Sequence, residues 1–247
     1  MEWDAKKYDQ QHDFVSKYGE NLLSYLPKNP RKILDIGCGT GNLTDAIAQL
    51  GHDVTGIDAS ATMIAQAQAN FAGIPFQHAD ILTLTAENQY DLLFSNAVFH
   101  WIPEQDQLLQ VCRQLLQKDG LLLCEFGAEN NIHQIQIAFV EELHKLDISY
   151  HSPFYFPSTA EYRTRLEQNG FEILQLLDYD RPTMLKGEKN GLRTWIKQFF
   201  AADLEKLSHS EQEKLFANIE HKLKASLWKD DHWEADYRRI QVIARSS

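Results

Sequence analysis

The window Ile33-Leu34-Asp35-Ile36-Gly37-Cys38-Gly39-Thr40-Gly41-Asn42 is the part of the chain whose residue types and spacing point most directly to chemistry. Gly37, Gly39 and Gly41, with Cys38 between the first two, let the backbone bend sharply and let a ligand lie against the main chain with no Cβ in the way. A dinucleotide-binding turn is spaced GxGxxG; its third glycine would fall on Asn42, and Gly41 comes one residue too early. Asp35, just before the first glycine, is an awkward neighbour for a pyrophosphate and suits a cationic amino-acid moiety instead. Further along, Asp58 and Asp80 end two short β-rich runs, where open α/β sheets bind ligands. Both acids also suit plain N-caps or turns. His100 follows a fourth run, in Ser95-Asn96-Ala97-Val98-Phe99-His100-Trp101, and its unperturbed pKa fits a proton carrier. Its plainer reading is a histidine bonded to backbone where a helix begins.

Alternating short elements must position these residues. Apolar groups at Phe14, Val15, Tyr18, Leu22, Leu23 and Leu26 recur every three or four residues, so the spacing predicts a helix over 9–26, ended by Pro27 and Pro30. Strands are expected at 32–36, 53–58, 74–78, 90–95 and 120–126. Helices are expected over 41–50, after the N-cap Ser60, and from Pro103-Glu104 to about Lys118. Strands alternating with helices dictate a parallel sheet covered on both faces. Beyond Phe126 the pattern gives a helix over 132–146, an aromatic loop Ser152-Pro153-Phe154-Tyr155-Phe156-Pro157, and a helix from Ser158 to Asn169-Gly170. A sixth strand at 171–179, helical periodicity over 181–235 and a last strand at 239–244 follow. The long excursions leave one sheet and return to it, so they read as insertions.

Asp-Ile-Gly-Cys-Gly-Thr-Gly resembles the glycine-rich motif of class I S-adenosylmethionine-dependent methyltransferases, and the order of elements is similar to that family over nearly the whole chain. The resemblance implies an α/β, Rossmann-like, seven-stranded, mostly parallel sheet with helices on both faces and an antiparallel seventh strand. It implies one methyltransferase domain over 1–247, with insertions at 127–157 and 181–236 as a helical lid over the acceptor site. S-adenosyl-L-methionine is then the implied cofactor. Asp35, Gly37, Cys38, Gly39 and Gly41 would border its methionyl part, Asp58 would accept both ribose hydroxyls, and Asp80 would hold the adenine amino group under Ile81. Ala59, Ser60 and Met63 would line the ribose and adenine, and Ser95 and Asn96 the methionine moiety. Tyr8, with Gln11 and His12, would belong to an N-terminal segment folding over the cofactor. The segment 95–101 is similar to small-molecule members such as trans-aconitate methyltransferase and the malonyl-carrier-protein carboxyl methyltransferase of biotin synthesis. His100 would then be the catalytic candidate, and Arg181, Arg193, Trp195 and residues 152–157 candidates for the acceptor pocket.

Composition narrows the partners. With 24 basic and 35 acidic side chains in 247 residues, the formal charge is -11, which opposes nucleic acid and anionic membranes. Neither a run of ~18 to 20 apolar residues nor a signal-peptide pattern occurs, so the expected address is cytoplasmic. Cys38, Cys112 and Cys124 lack metal or disulfide spacing, and no histidine pair has ligand spacing, so no metal is expected. The reading is a methyltransferase acting by in-line transfer on a small, carboxylate-bearing acceptor. A non-catalytic S-adenosylmethionine-binding regulatory or partner protein, and a nicotinamide-dependent dehydrogenase, are the alternatives.

Overall fold

The computed structural model describes residues 21–29 and 31–247. Tyr8, Gln11, His12 and most of the helix expected over 9–26 lie outside the described residues. The chain groups into two compact units: residues up to 128 with 154–178 and 240–247, and residues 129–153 with 179–239.

The first unit opens with β1 (Lys32–Ile36), α1 (Asn42–Gln49), β2 (Asp53–Asp58), α2 (Ala61–Asn70), β3 (Phe76–His78) and β4 (Tyr90–Asn96). It continues with α3 (Gln105–Leu115), β5 (Leu116–Gly127) and α5 (Thr159–Gln168), and holds most of β6 (Phe171–Asp180) and β10 (Arg238–Ser246). The seven strands run in the order β3-β2-β1-β4-β5-β10-β6. β1 pairs in parallel with β2 and with β4, β2 with β3, and β4 with β5. The order therefore reverses between β1 and β4, and such a switch point leaves a crevice at the carboxyl ends of the strands.

Period-two alternation builds the two sides of this sheet. Leu34, Leu93 and Leu122 enter one apolar cluster with Phe99, Leu108, Phe126 and Tyr162. Their neighbours Ile33, Leu92 and Leu123 enter another with Leu22, Ile47 and Val54. Strands buried on both faces read as unbroken apolar runs, as 121–124 does. Each such leucine contributes about 1.5 to 3 kcal/mol by leaving water.

The spacing predicted a helix as far as Lys118 and a strand only from Gly120. Instead α3 stops at Leu115 and β5 begins at Leu116. Tyr90 faces Leu116 but Leu92 faces Leu121, so β5 carries a bulge in which Asp119 takes φ 63°. The bulge shows the polar residues Gln117, Lys118 and Asp119 to solvent. The third strand is also shorter than expected, starting at Phe76. Ser158 caps α5 through the Glu161 N–H, as its sequence position predicted.

The second unit contains α4 (His133–His144), β7 (Thr183–Met184), α6 (Gly191–Phe199), α7 (Ala201–Leu204), α8 (His209–Leu227), β8 (Trp228–Lys229) and β9 (His232–Ala235). The expectation of helix throughout 181–235 is corrected here: β7, β9 and β8 form a small antiparallel sheet. Phe139 of α4 stacks on Phe200 at 4.4 Å, and Asn218 Nδ2 of α8 donates to Glu142 Oε2 of α4 at 2.7 Å. Among the described residues, no helix is long and apolar enough to cross a membrane.

Candidate functional site

The glycine turn leaves β1 and is held by β2. Ile57 O accepts the Gly37 and Cys38 N–H groups at 2.8 and 2.9 Å, and Cys38 O accepts the Gly41 N–H at 3.0 Å. The three glycines take φ of 73°, 55° and 90°, the left-handed region that side chains resist. Their surroundings differ. A Cβ on Gly37 would lie 2.2 Å from Val98 Cγ2, and one on Gly41 would lie 2.8 Å from Phe76, whereas a Cβ on Gly39 would meet none of the described residues within 4 Å. Among the described residues, Gly39 therefore borders open space, where a ligand can lie against bare main chain.

Asp58 closes the turn from the end of β2. Gly39 N–H donates to its Oδ2 at 3.0 Å and Ser60 N–H to its Oδ1 at 2.8 Å. Burial raises the Asp58 pKa, opposed by these two backbone donors and by His78. The carboxylate is half-buried, and each oxygen has a further lone pair to offer. Ser60 caps α2 through the Met63 N–H, and Ala59 O is 3.1 Å from His78 Nε2. Ala79 N–H donates to Asp58 O, which brings Asp80 close by; its exposed carboxylate accepts the Leu82 N–H at 2.9 Å. Met63 and Ile81 are buried and form apolar flooring.

Asp35 is buried under the turn, where its Oδ2 accepts the Thr44 hydroxyl at 2.6 Å. Burial pushes its pKa up to about 7, with Thr44 opposing and the negative Asp58 adding to the rise. Cys38 is buried, and burial followed by the two aspartates drives its thiol far above the usual range, so it stays protonated. Ser95 spends its hydroxyl on Ile36 O at 2.9 Å, tying β4 to the end of β1, and Asn96 beside it is buried.

His100 sits on the turn 99–101 beyond β4 and is 7% exposed. Gly127 N–H donates to its Nδ1 at 3.2 Å, so the neutral ring carries its proton on Nε2. Its carbonyl accepts the Tyr155 N–H at 2.9 Å, and its ring lies among Trp101, Phe154 and Phe156 at 5.5, 6.2 and 5.8 Å. Gln105 Nε2 donates to Phe99 O at 2.8 Å and holds this turn. Arg193, by contrast, is engaged in the second unit by Glu220 at 2.6 Å and Glu213 at 2.8 Å. Among the described residues, no group of three or more His, Cys, Asp or Glu side chains could hold a metal ion.

Sequence reasoning missed Thr44, Val98 and Gly127. Thr44 had a signal, a lone hydroxyl on the first turn of a helix beside Leu43 and Ile47. Val98 and Gly127 had none, because their partners lie 61 and 27 residues away.

Residues 34–124 match a family described as methyltransferase domain. Over 211 residues, 80% of either chain, the sequence is 30% identical to trans-aconitate 2-methyltransferase of Deinococcus radiodurans. It is 32% identical over 144 residues to malonyl-[acyl-carrier protein] O-methyltransferase of Bacillus cereus, a match spanning 55% of this chain and 54% of that one. The fold is similar to geranyl diphosphate C-methyltransferase of Streptomyces coelicolor, crystallised with Mg2+, geranyl diphosphate and S-adenosyl-L-homocysteine. That superposition has a TM-score of 0.58 at 13% identity and covers 96% of this chain and 80% of the other.

Proposed function

The chain belongs to the class I S-adenosylmethionine-dependent methyltransferases, and from that premise we propose that it methylates a small, carboxylate-bearing acceptor. The observation that carries the cofactor half of this reading is the Asp58 carboxylate seated between the Gly39 and Ser60 N–H groups, beside the open space over Gly39. These residues fit S-adenosylmethionine: bare backbone at Gly39, a half-buried carboxylate for a vicinal diol, and an exposed one at Asp80. When bound, the cofactor supplies a methyl group on a positively charged sulfur.

The chain's own residues have four tasks in this reading. Gly37, Cys38, Gly39 and Gly41 shape the turn that receives the methionyl part, and Asp35 beneath it offers a carboxyl to the amino group. Asp58 and Asp80 hold the ribose and adenine, with Ala59, Met63 and Ile81 as apolar lining. Ser95 fixes the spacing of β1 and β4, which sets where Asn96 meets the methionine end. His100 orients the acceptor. The relatives' names, trans-aconitate 2-methyltransferase and malonyl-[acyl-carrier protein] O-methyltransferase, support a carboxylate acceptor.

His100 supports it for a separate reason. A ring whose Nδ1 takes the Gly127 N–H presents Nε2–H, a hydrogen-bond donor. That suits an acceptor already ionised at neutral pH, which needs alignment and water exclusion rather than a base. Of the two roles the sequence leaves open to His100, orienting an acceptor or deprotonating it, this reading takes the first.

Isothermal titration with S-adenosylhomocysteine, followed by turnover of labelled methyl groups on a panel of carboxylic acids, phenols and amines, tests the proposal. Binding plus labelling of acids is the expected result. Binding without labelling of any acceptor supports a regulatory protein, and absence of binding refutes the cofactor assignment.

A further inference from the structure

We propose that Trp101, Phe154 and Phe156 form an aromatic wall beside His100 that selects a methyl acceptor carrying a flat π-system, an aryl or conjugated acid. All four residues belong to the unit that carries the glycine turn. Pro153 and Pro157 bracket the loop, and a residue before proline avoids the helical region, so Ser152 and Phe156 favour extended backbone. In an extended segment alternate side chains share a side. Tyr155 packs against the core cluster, and its hydroxyl donates to Glu161 Oε1 at 2.7 Å. Phe154 and Phe156 gather at His100 instead, their rings 5.1 Å apart and within 9° of parallel. The bond from Tyr155 N–H to His100 O, at 2.9 Å, holds this loop beside the histidine turn.

Trp101 stands against Phe154 at 4.7 Å with its plane turned by 59°, and all three rings are partly exposed. Parallel phenyl rings at this spacing are offset-stacked, and a flat ligand group can extend the stack by one layer. A saturated ring of the same size is puckered and has no π-face, so it gains only apolar burial. Ring faces are electron-rich and repel an anion. The wall therefore takes the uncharged part of the acceptor and leaves the carboxylate to the Nε2–H of His100. A cationic amine, of opposite sign, would be drawn onto the same faces. The choice of an acid over an amine rests on the carboxylate-acceptor reading above.

The test is calorimetric titration of the full chain, saturated with S-adenosylhomocysteine, with cinnamate, 3-cyclohexylpropanoate and cinnamylamine, for wild type, Trp101→Leu, Phe154→Leu and Phe156→Leu. Wild type is expected to bind cinnamate about two- to tenfold more tightly than 3-cyclohexylpropanoate, the scale of an aromatic contact beyond its buried area. Leucine at any of the three positions keeps an apolar side chain and should reduce that preference. S-adenosylhomocysteine affinity should stay within about twofold of wild type, since none of these rings belongs to the glycine turn. Equal affinity for the two acids in wild type, an undiminished preference in all three variants, or silence with every probe would overturn the wall. Should the variants fail to fold by circular dichroism, the wild-type ranking decides. Acids bound without the preference would overturn the wall and leave the carboxylate reading standing. Cinnamylamine bound in place of either acid, and weakened by the leucine variants, would support the wall and overturn the carboxylate reading.

Discussion

Gly39 and Asp58 are joined by a hydrogen bond of 3.0 Å from the Gly39 N–H to Asp58 Oδ2, which couples the turn after β1 to the end of β2. One carboxylate thereby shapes the backbone cradle and faces the place proposed for the ribose. Asp58→Ala removes both roles. It is expected to weaken S-adenosylhomocysteine binding by about 1.5 to 3 kcal/mol, the range for hydrogen bonds to a charged group. Asp58→Asn keeps the size but has only one acceptor oxygen for the two N–H donors of Gly39 and Ser60, so it should also bind weakly. Titration calorimetry measures both, and wild-type affinity in Asp58→Ala would remove the ribose assignment.

Gly37 and Gly39 share a left-handed backbone but not surroundings, so alanine separates fold from ligand. Gly37→Ala drives a methyl into Val98 and is expected to cost about 2 to 4 kcal/mol of stability, overpacking plus backbone strain. Gly37→Ala with Val98→Ala should recover part of that. Gly39→Ala pays only the backbone strain, about 1 to 2 kcal/mol, while its methyl occupies the space proposed for the cofactor. Denaturant unfolding should rank Gly37→Ala as the less stable, and ligand titration should show a clear loss in Gly39→Ala. The reverse ranking would contradict the geometry.

Much of the first unit was legible because its signals are local. The run 33–36, the glycines and the N-cap Ser60 each announce themselves within a few residues, and alternation of Ile33 with Leu34 suffices for a strand with two buried faces. What escaped was non-local. Leu116 to Asp119 continue an amphipathic helical pattern, yet pairing with β4 pulls them into a bulged strand. Thr183–Met184 and Trp228–Lys229 are two residues each, too short to show a period of two, and exist because β9 lies between them. At the site, the acids could be placed at strand ends, but the donor that fixes the His100 ring, Gly127 N–H, comes from the next strand and leaves no mark near His100.

Asp35 makes stability depend on pH. Its folded pKa, pushed to about 7, exceeds the ordinary carboxylate value of 3.8, so the folded state holds a proton that the unfolded chain gives up. The sign follows: this group's contribution is best below about pH 4 and declines as pH rises to about 7, then levels off. Asp35→Asn retains an oxygen for the Thr44 hydroxyl and abolishes the titration. Compared with wild type it should gain stability on the order of a few kcal/mol between those pH values, read by urea unfolding across the range. A parallel pH dependence in the two proteins would show that Asp35 does not titrate there.

His100 as an orienting donor and His100 as a base predict different substitution patterns. A glutamine amide can place an N–H near the position of Nε2, whereas asparagine can offer its oxygen to Gly127 N–H in place of Nδ1. With an orienting donor, His100→Gln should retain a measurable fraction of kcat/KM and His100→Ala should lose about tenfold or more. His100→Asn should recover stability lost in His100→Ala, where a buried N–H is left unsatisfied at about 1 to 3 kcal/mol, without recovering turnover. With a base, glutamine and alanine would be equally inactive, because neither accepts a proton near neutral pH. Steady-state kinetics on an acid acceptor, beside thermal unfolding of the three variants, separates the two roles; equal inactivity of His100→Gln and His100→Ala in well-folded proteins would restore the base.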